Sequence, residues 1–243
     1  MGRNRILDEE LDFLDKCSNE DLEVLVKILT HDIDGNERIT EELTSTYSYK
    51  QHYPNHKMYL PLIKDEIHDY GGNTFMNIFR GNGVKYKEIL IDCAKKMKVN
   101  FNSKNSVEDI EQYLLMKVLE ESLEKTSLEE LKKLLEELDI KTTNFTKQAI
   151  IAAIQMTIKK GGFKTYKIAV IVANSLSKQI MGKGLSFTAN SILTKSISKI
   201  PSPIGLVLNG LWVAVDIAGP AYRVTIPICI YMAYLRAKTN IAV

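Results

Sequence analysis

Residues 200–235 read IPSPIGLVLNGLWVAVDIAGPAYRVTIPICIYMAYL, the most apolar part of the chain. Asp216 and Arg223 are its only charges, with Gly219-Pro220 between them. A membrane-spanning helix takes about 20 predominantly apolar residues, within a range of about 17–25. Each uncharged arm, Ile200 to Val215 and Val224 to Leu235, falls short of that. A longer span would carry a charge into hydrocarbon, which is costly unless opposite charges pair. The stretch therefore reads as a helical hairpin, either buried in protein or entering a membrane only under certain conditions. Gly219-Pro220 breaks a continuous helix, and the expected bend brings Asp216 and Arg223 together as a structural ion pair.

Outward from this hairpin the chain is divided by charge. Before Ile140 there are 29 acidic against 19 basic residues; from Ile140 onward there are 13 basic residues and one acidic residue, Asp216. Such asymmetry points to docking between the halves or to a partner facing the basic part, for which an anionic membrane and nucleic acid both qualify. The expected organisation is an acidic helical bundle over residues 1–160, with a binding or regulatory role. A basic, apolar, small-residue-rich helical region over 161–243 would then meet a membrane. Overall hydrophobic content is 45%, ordinary for a globular chain, which argues against a typical integral membrane protein. Cys17, Cys93 and Cys229 are widely spaced and odd in number. They argue for a reducing compartment and against a disulfide framework. The first residues lack a signal-peptide apolar core, so a cytoplasmic location is expected.

Apolar residues recur at helical spacing throughout, and the expected fold is all-α, a multi-helix bundle. Ser18 caps a helix whose stripe is Leu22, Leu25, Val26 and Leu29. A short helix is expected over Glu37–Thr46 through Ile39 and Leu43. Tyr59, Leu62, Ile63 and Ile67 begin another, which Gly71-Gly72 ends. Ser106 starts a long helix carrying Ile110, Leu114 and Val118. Ser127 and Glu130 form a capping-box pattern that opens LEELKKLLEEL, followed by KQAIIAAIQMTIKK. This last pair resembles a SAP-type helix–extension–helix module, but Glu129, Glu130, Glu136 and Glu137 would repel phosphate. A plain helical hairpin is the preferred reading. No strand is expected, although Ile226-Pro227-Ile228 reads as extended because proline cannot donate in a ladder.

Sites of chemistry are sparse. Asp32 to Ile39 match a calcium loop at the first, third, fifth and eighth positions. Glu37 replaces the turn glycine and Leu43 the bidentate acid, so an ordinary polar turn is preferred. His52, His56 and His68 lie in one block, but Pro54 interrupts the first pair and no metalloprotease glutamate lies between them; solvated loop histidines are expected. Arg80 and Lys85 flank Gly81-Asn82-Gly83, a turn that offers free amides to an anion but lacks the strand and Gly-Lys-Ser/Thr ending of a nucleotide loop. Lys159, Lys160, Lys164 and Lys167, beside Phe163 and Tyr166, are candidate contacts for an anion, a lipid headgroup or nucleic acid. No catalytic combination of Ser, His, Asp or Cys is detectable from spacing, so no enzyme, metal or cofactor is expected.

The segments LDFLDKCSNEDLEVLVKILTH, GGNTFMNIFRGNGVKYKEILID and AYRVTIP together resemble the YaaW-like family of uncharacterised bacterial proteins. The middle section of such proteins resembles ubiquinol–cytochrome c chaperones. The resemblance implies an all-helical binding domain without catalytic residues, in a bacterial cytoplasmic protein able to rest on a membrane. The resulting expectation is a non-enzymatic adaptor, assembly factor or regulator using amphipathic helices for protein–protein interaction, with a membrane-associating C-terminal region at the inner membrane. Homo-oligomerisation is compatible with it. The alternatives are a membrane-directed effector of a defence or toxin-type system restrained by its acidic domain, and a nucleic-acid-binding protein using the basic half.

Overall fold

The computed structural model describes residues 6–32, 34–39, 41–72, 84–160, 162–185 and 222–241. Among them the architecture is all-α, with a lone β-bridge between His31 and Glu37. Helices α1 (Asn19–Thr30), α2 (Tyr47–His52), α3 (Leu60–Gly72), α4 (Tyr86–Lys96) and α5 (Val107–Lys125) come first. They are followed by α6 (Leu128–Glu137), α7 (Lys147–Lys160), α8 (Gly162–Met181) and α9 (Tyr222–Ile241). Short 3-10 segments occupy Glu9–Lys16, Leu43–Ser45 and His56–Tyr59.

The helix starts follow local chemistry. Ser18 Oγ accepts from the Asp21 amide at 3.2 Å while the Asp21 carboxylate accepts from the Ser18 amide at 3.1 Å. The same reciprocal box joins Ser127 and Glu130 at the start of α6, and Ser106 accepts from the Asp109 amide at 3.1 Å to start α5. Each box satisfies two amides that a helix terminus would otherwise leave without partners. Between α7 and α8 the Thr165 hydroxyl lies 3.2 Å from the carbonyls of Thr157 and Ile158. It serves the carbonyl end of α7 from the first turn of α8. Gly71 lies where α3 meets α4 closely: a β-carbon there would come within 2.4 Å of Ile89 and 2.7 Å of Val84.

Helix α9 is the axis of the bundle. Every residue from Val224 to Leu235 is buried, and it packs against α1, α3, α4, α5, α8 and the Glu9–Lys16 segment. A helix apolar on all sides must be enclosed on all sides. Each such aliphatic side chain contributes about 1.5–3 kcal/mol on burial. The second arm of the expected hairpin is thus buried in protein, and no helix among the described residues is long and apolar enough to cross a membrane. The first arm, with Asp216 and Gly219-Pro220, lies outside the described residues. Helices on both sides of residue 160 contribute to this one apolar core, so the 1–160 and 161–243 segments differ in charge while sharing packing.

Three local expectations are corrected. Pro227 lies inside α9, not in an extended segment. Its missing N–H deprives only the carbonyl of Arg223, an exposed residue in the first turn, where water is available. Residues Glu37–Thr46 do not form the expected helix: Ile39 is fully exposed and only Leu43–Ser45 turns, as a 3-10 segment. Asp32 holds the preceding turn by accepting from the amides of Asp34 and Asn36 at 2.9 and 2.8 Å. His56 and His68 are buried, not solvated. His56 finds the Tyr59 hydroxyl and His68 finds the Asp8 carboxylate, so each has a partner that makes burial tolerable.

Candidate functional site

Buried Asp8, His68, Tyr86, Glu111 and Arg236 form one polar seam across the bundle. Asp8 precedes the first 3-10 segment and caps it through the Glu10 amide at 3.2 Å. Its other oxygen accepts from His68 Nε2 on α3 at 3.1 Å and from the Tyr86 amide at the start of α4 at 2.7 Å. The Tyr86 hydroxyl donates to Glu111 Oε1 on α5 at 2.8 Å, and Arg236 Nε on α9 donates to Glu111 Oε2 at 2.9 Å. Arg236 also donates to the Glu10 carbonyl at 2.8 Å, lies 3.7 Å from the Glu108 carboxylate, and stacks 4.3 Å from the Phe13 ring centre. Five separate parts of the chain are thereby bolted together.

Burial pushes the Glu111 carboxyl up to about 7, against the opposing pull of Arg236 and the Tyr86 hydroxyl. Burial acts on Asp8 in the same sense, but the hydrogen bonds from His68 and from the Tyr86 and Glu10 amides outweigh it and leave that carboxyl below its ordinary range. Arg236 is disfavoured by burial yet held above its usual value by Glu111 and its neighbours. These directions fit together, because the charged Arg236 depends on Glu111 while Glu111 sits deeper than one partner can offset.

A carboxyl titrating near 7 is suited to proton transfer. Here both Glu111 oxygens already have partners, and the residue is 2% exposed. The cleft that Glu111 lines together with Glu108, Gln112, Thr165, Arg236 and Asn240 encloses about 60 Å³. That is room for roughly one or two waters. The seam holds helices in place. Also on α9, Lys238 Nζ reaches the Asp21 carboxylate at 2.6 Å and the Tyr231 hydroxyl donates to the Asp21 carbonyl at 3.0 Å.

The residues singled out by sequence lie elsewhere. Lys85 is exposed at the start of α4, Lys159 and Lys160 are exposed in the last turn of α7, and Lys167 is half-buried on α8. Helix α4 packs against α3, α5 and α9, whereas α7 packs against α5, α6 and α8, so these lysines have different surroundings. Arg80, Asp216 and the Lys164 side chain lie outside the described residues; the expected Asp216–Arg223 pair therefore lies there too. Sequence reasoning missed Asp8, Tyr86, Glu111 and Arg236 as a group. A signal was present in Glu111: it falls on the same helical face as Val107, Ile110, Leu114, Leu115 and Val118, where a carboxylate has to find an internal partner.

A family model described as Ubiquinol-cytochrome C chaperone matches residues 58–229, and a Domain of unknown function (DUF3944) matches residues 6–39. A UPF0174 protein of Helicobacter pylori is 47% identical over 234 residues, which cover 96% of this chain and 92% of that protein. A second from Helicobacter pylori is 40% identical, over 82% of this chain and 98% of that protein. The UPF0174 protein YaaW of Escherichia coli is 29% identical over 99% and 98% of the two chains. No solved structure matches. With matches running through both the acidic and the basic segments, the chain belongs to the UPF0174 family, and its residues 58–229 to the Ubiquinol-cytochrome C chaperone family.

Proposed function

We propose that this chain is a non-enzymatic helical binding protein, an adaptor or assembly factor, whose basic C-terminal part associates with a membrane surface. The observation that carries the reading is the match of residues 58–229 to a chaperone family, on a fold whose buried Glu111 and Arg236 join helices to one another. Association with a protein partner follows from the chaperone likeness. Association with lipid follows from charge: no acidic residue occurs between Asp139 and Asp216, and Lys159 and Lys160 face outward from α7. Such lysines are attracted to anionic headgroups, each by about 1 kcal/mol near the surface.

The restrained-effector alternative requires the C-terminal region to leave the acidic part. Helix α9 argues against its taking part, because it is the centre of the core and its departure would unfold the bundle. Contact with a membrane is therefore peripheral in this reading, made by α7 and its neighbours while α9 stays enclosed.

The test is chemical cross-linking of the untagged protein in cells, followed by fractionation with carbonate and detergent extraction of the pellet. The expected outcome is a membrane-pelleted fraction released by carbonate, containing discrete higher-mass adducts. A protein that is wholly soluble and without adducts overturns the reading.

A further inference from the structure

We propose that Cys93 and Cys229 form a reversible redox site, at which a small hydroperoxide joins them as a disulfide that staples α9 to α4. The inference goes beyond the binding-protein reading and does not depend on it.

The two cysteines are 136 residues apart in sequence, and the register of two helices brings them together. Tyr86 of α4 and Arg236 of α9 both hold the Glu111 carboxylate, at 2.8 and 2.9 Å. Further along α4, Lys96 Nζ lies 5.5 Å from the ring centre of Tyr222, near the start of α9. The two helices therefore run antiparallel. Cys93 follows Tyr86 by seven residues and Cys229 precedes Arg236 by seven. Each interval is two turns along one helix face, about 10 Å. That register sets the thiols opposite one another, and the Cys229 thiol is in hydrogen-bond contact with the Cys93 thiol. Both are buried and free.

A single buried thiol behaves as a small apolar side chain of low reactivity. Two thiols that touch across a helix pair need little movement to bond. Cys17 is the contrast, since its neighbours are Asp21, Lys238 and the Phe13 carbonyl. The oxidant has to be small and uncharged to reach the pair. The cleft of about 60 Å³ is lined by Ala233, one turn beyond Cys229 on the same face of α9. It has room for a molecule the size of hydrogen peroxide and none for a bulky disulfide. Burial, with Cys93 and Glu111 close by, holds the Cys229 thiol well above its ordinary value, so the first attack falls to Cys93. Its sulfur bonds to one peroxide oxygen as the O–O bond breaks, giving a sulfenic acid; the departing oxygen takes the thiol proton and leaves as water. The Cys229 sulfur then displaces hydroxide from Cys93, the S–S bond forms, and that hydroxide leaves with the Cys229 proton as a second water. The two thiols lose two electrons in all, and one peroxide is reduced to two waters. Thiol–disulfide exchange reverses the bond.

The experiment treats the folded full chain with hydrogen peroxide, blocks remaining thiols with N-ethylmaleimide in denaturant, and maps the unreduced peptides by mass spectrometry. The expected main product is a peptide pair linked through Cys93 and Cys229, released by dithiothreitol, with Cys17 carrying the maleimide. Oxidation should raise the thermal midpoint by at least about 5 °C, because the link closes a long loop in the unfolded chain. Cys17→Ala should keep both responses and Cys229→Ala should lose both. The peptide map of the unsubstituted chain decides the matter even where Cys229→Ala does not fold. Cysteines left unlinked, sulfinic acid in place of the link, a link through Cys17 or to a second chain, or a link formed only in denaturant would each overturn the proposal. A Cys93–Cys229 link that leaves the thermal midpoint unchanged would overturn it as well, since α9 would not then be stapled.

Discussion

Helix α9 buries every side chain from Val224 to Leu235, whereas α6 turns Glu129, Lys132, Lys133 and Glu136 to solvent and buries Leu131, Leu134 and Leu135. The two helices obtain stability by opposite means. Helix α6 has a capping box and a one-sided apolar stripe, so much of its form is set within its own residues. Helix α9 has a proline in its second turn and no polar face. It is helical because five other helices enclose it and because Arg236 and Lys238 are anchored to Glu111 and Asp21. Damage to α9 should therefore be global, and damage to α6 local.

The largest expected effect comes from breaking the seam at α9. Arg236→Ala should lower the free energy of unfolding by about 3–5 kcal/mol, since it leaves the buried Glu111 without its charge partner. Replacing both, Glu111→Leu with Arg236→Met, should recover most of that loss in urea titrations. A single-variant loss under about 1 kcal/mol would mean that the pair contributes little to holding α9.

A matched truncation sharpens the contrast. Ile228→Ala in α9 and Leu134→Ala in α6 each remove an aliphatic side chain, but Ile228 is fully buried and Leu134 lies at the margin. Within the usual range of about 2–5 kcal/mol, the α9 variant should fall at the high end and the α6 variant at or below the low end. Equal losses would remove the distinction.

The pH response of the seam has a defined sign. Glu111 binds its proton more tightly in the folded chain, so stability should fall as the pH rises from the ordinary carboxylate range near 4.5 to about 7, then level off. The magnitude is about 3 kcal/mol at most. Asp8 acts in reverse: its contribution is present above the ordinary carboxylate range and is lost as the pH falls through its lowered folded value. Urea titrations from pH 4 to 8 should show the decline, and Glu111→Gln should flatten it. A flat wild-type profile would place the charged form of Glu111 on equal terms in both states.

The smallest effect belongs to α6. Ser127→Ala removes one side of the capping box and should cost about 1 kcal/mol. Hydrogen exchange should quicken in the first turn of α6 and remain unchanged in α9. Faster exchange throughout α9 would show that the two helices are not independent.

The same contrast explains what the sequence made readable. Ser18, Ser106 and Ser127 announce their helices because the cap and its amide are only three residues apart. The stripe of Leu22, Leu25, Val26 and Leu29 likewise depends on spacing alone. Helix α9 was legible as an apolar segment, but not as the bundle axis, since that depends on partners far away in the chain. Pro227 argued for an extended segment and was overridden by enclosure. The buried histidines were misread for a related reason: the carboxylate of Asp8 that accommodates His68 is 60 residues away.

The Tyr231 hydroxyl and the Asp21 carbonyl that it meets are 210 residues apart in sequence. On the ribosome, α1, α4 and α5 are made well before the helix that fills the space between them. From the end of α5 to the end of α9, synthesis at roughly 5–20 residues per second takes on the order of ten seconds. Throughout that interval the apolar faces of the early helices that α9 covers lack that cover. The early helices must wait, guarded by cellular chaperones or loosely collapsed, until α9 arrives.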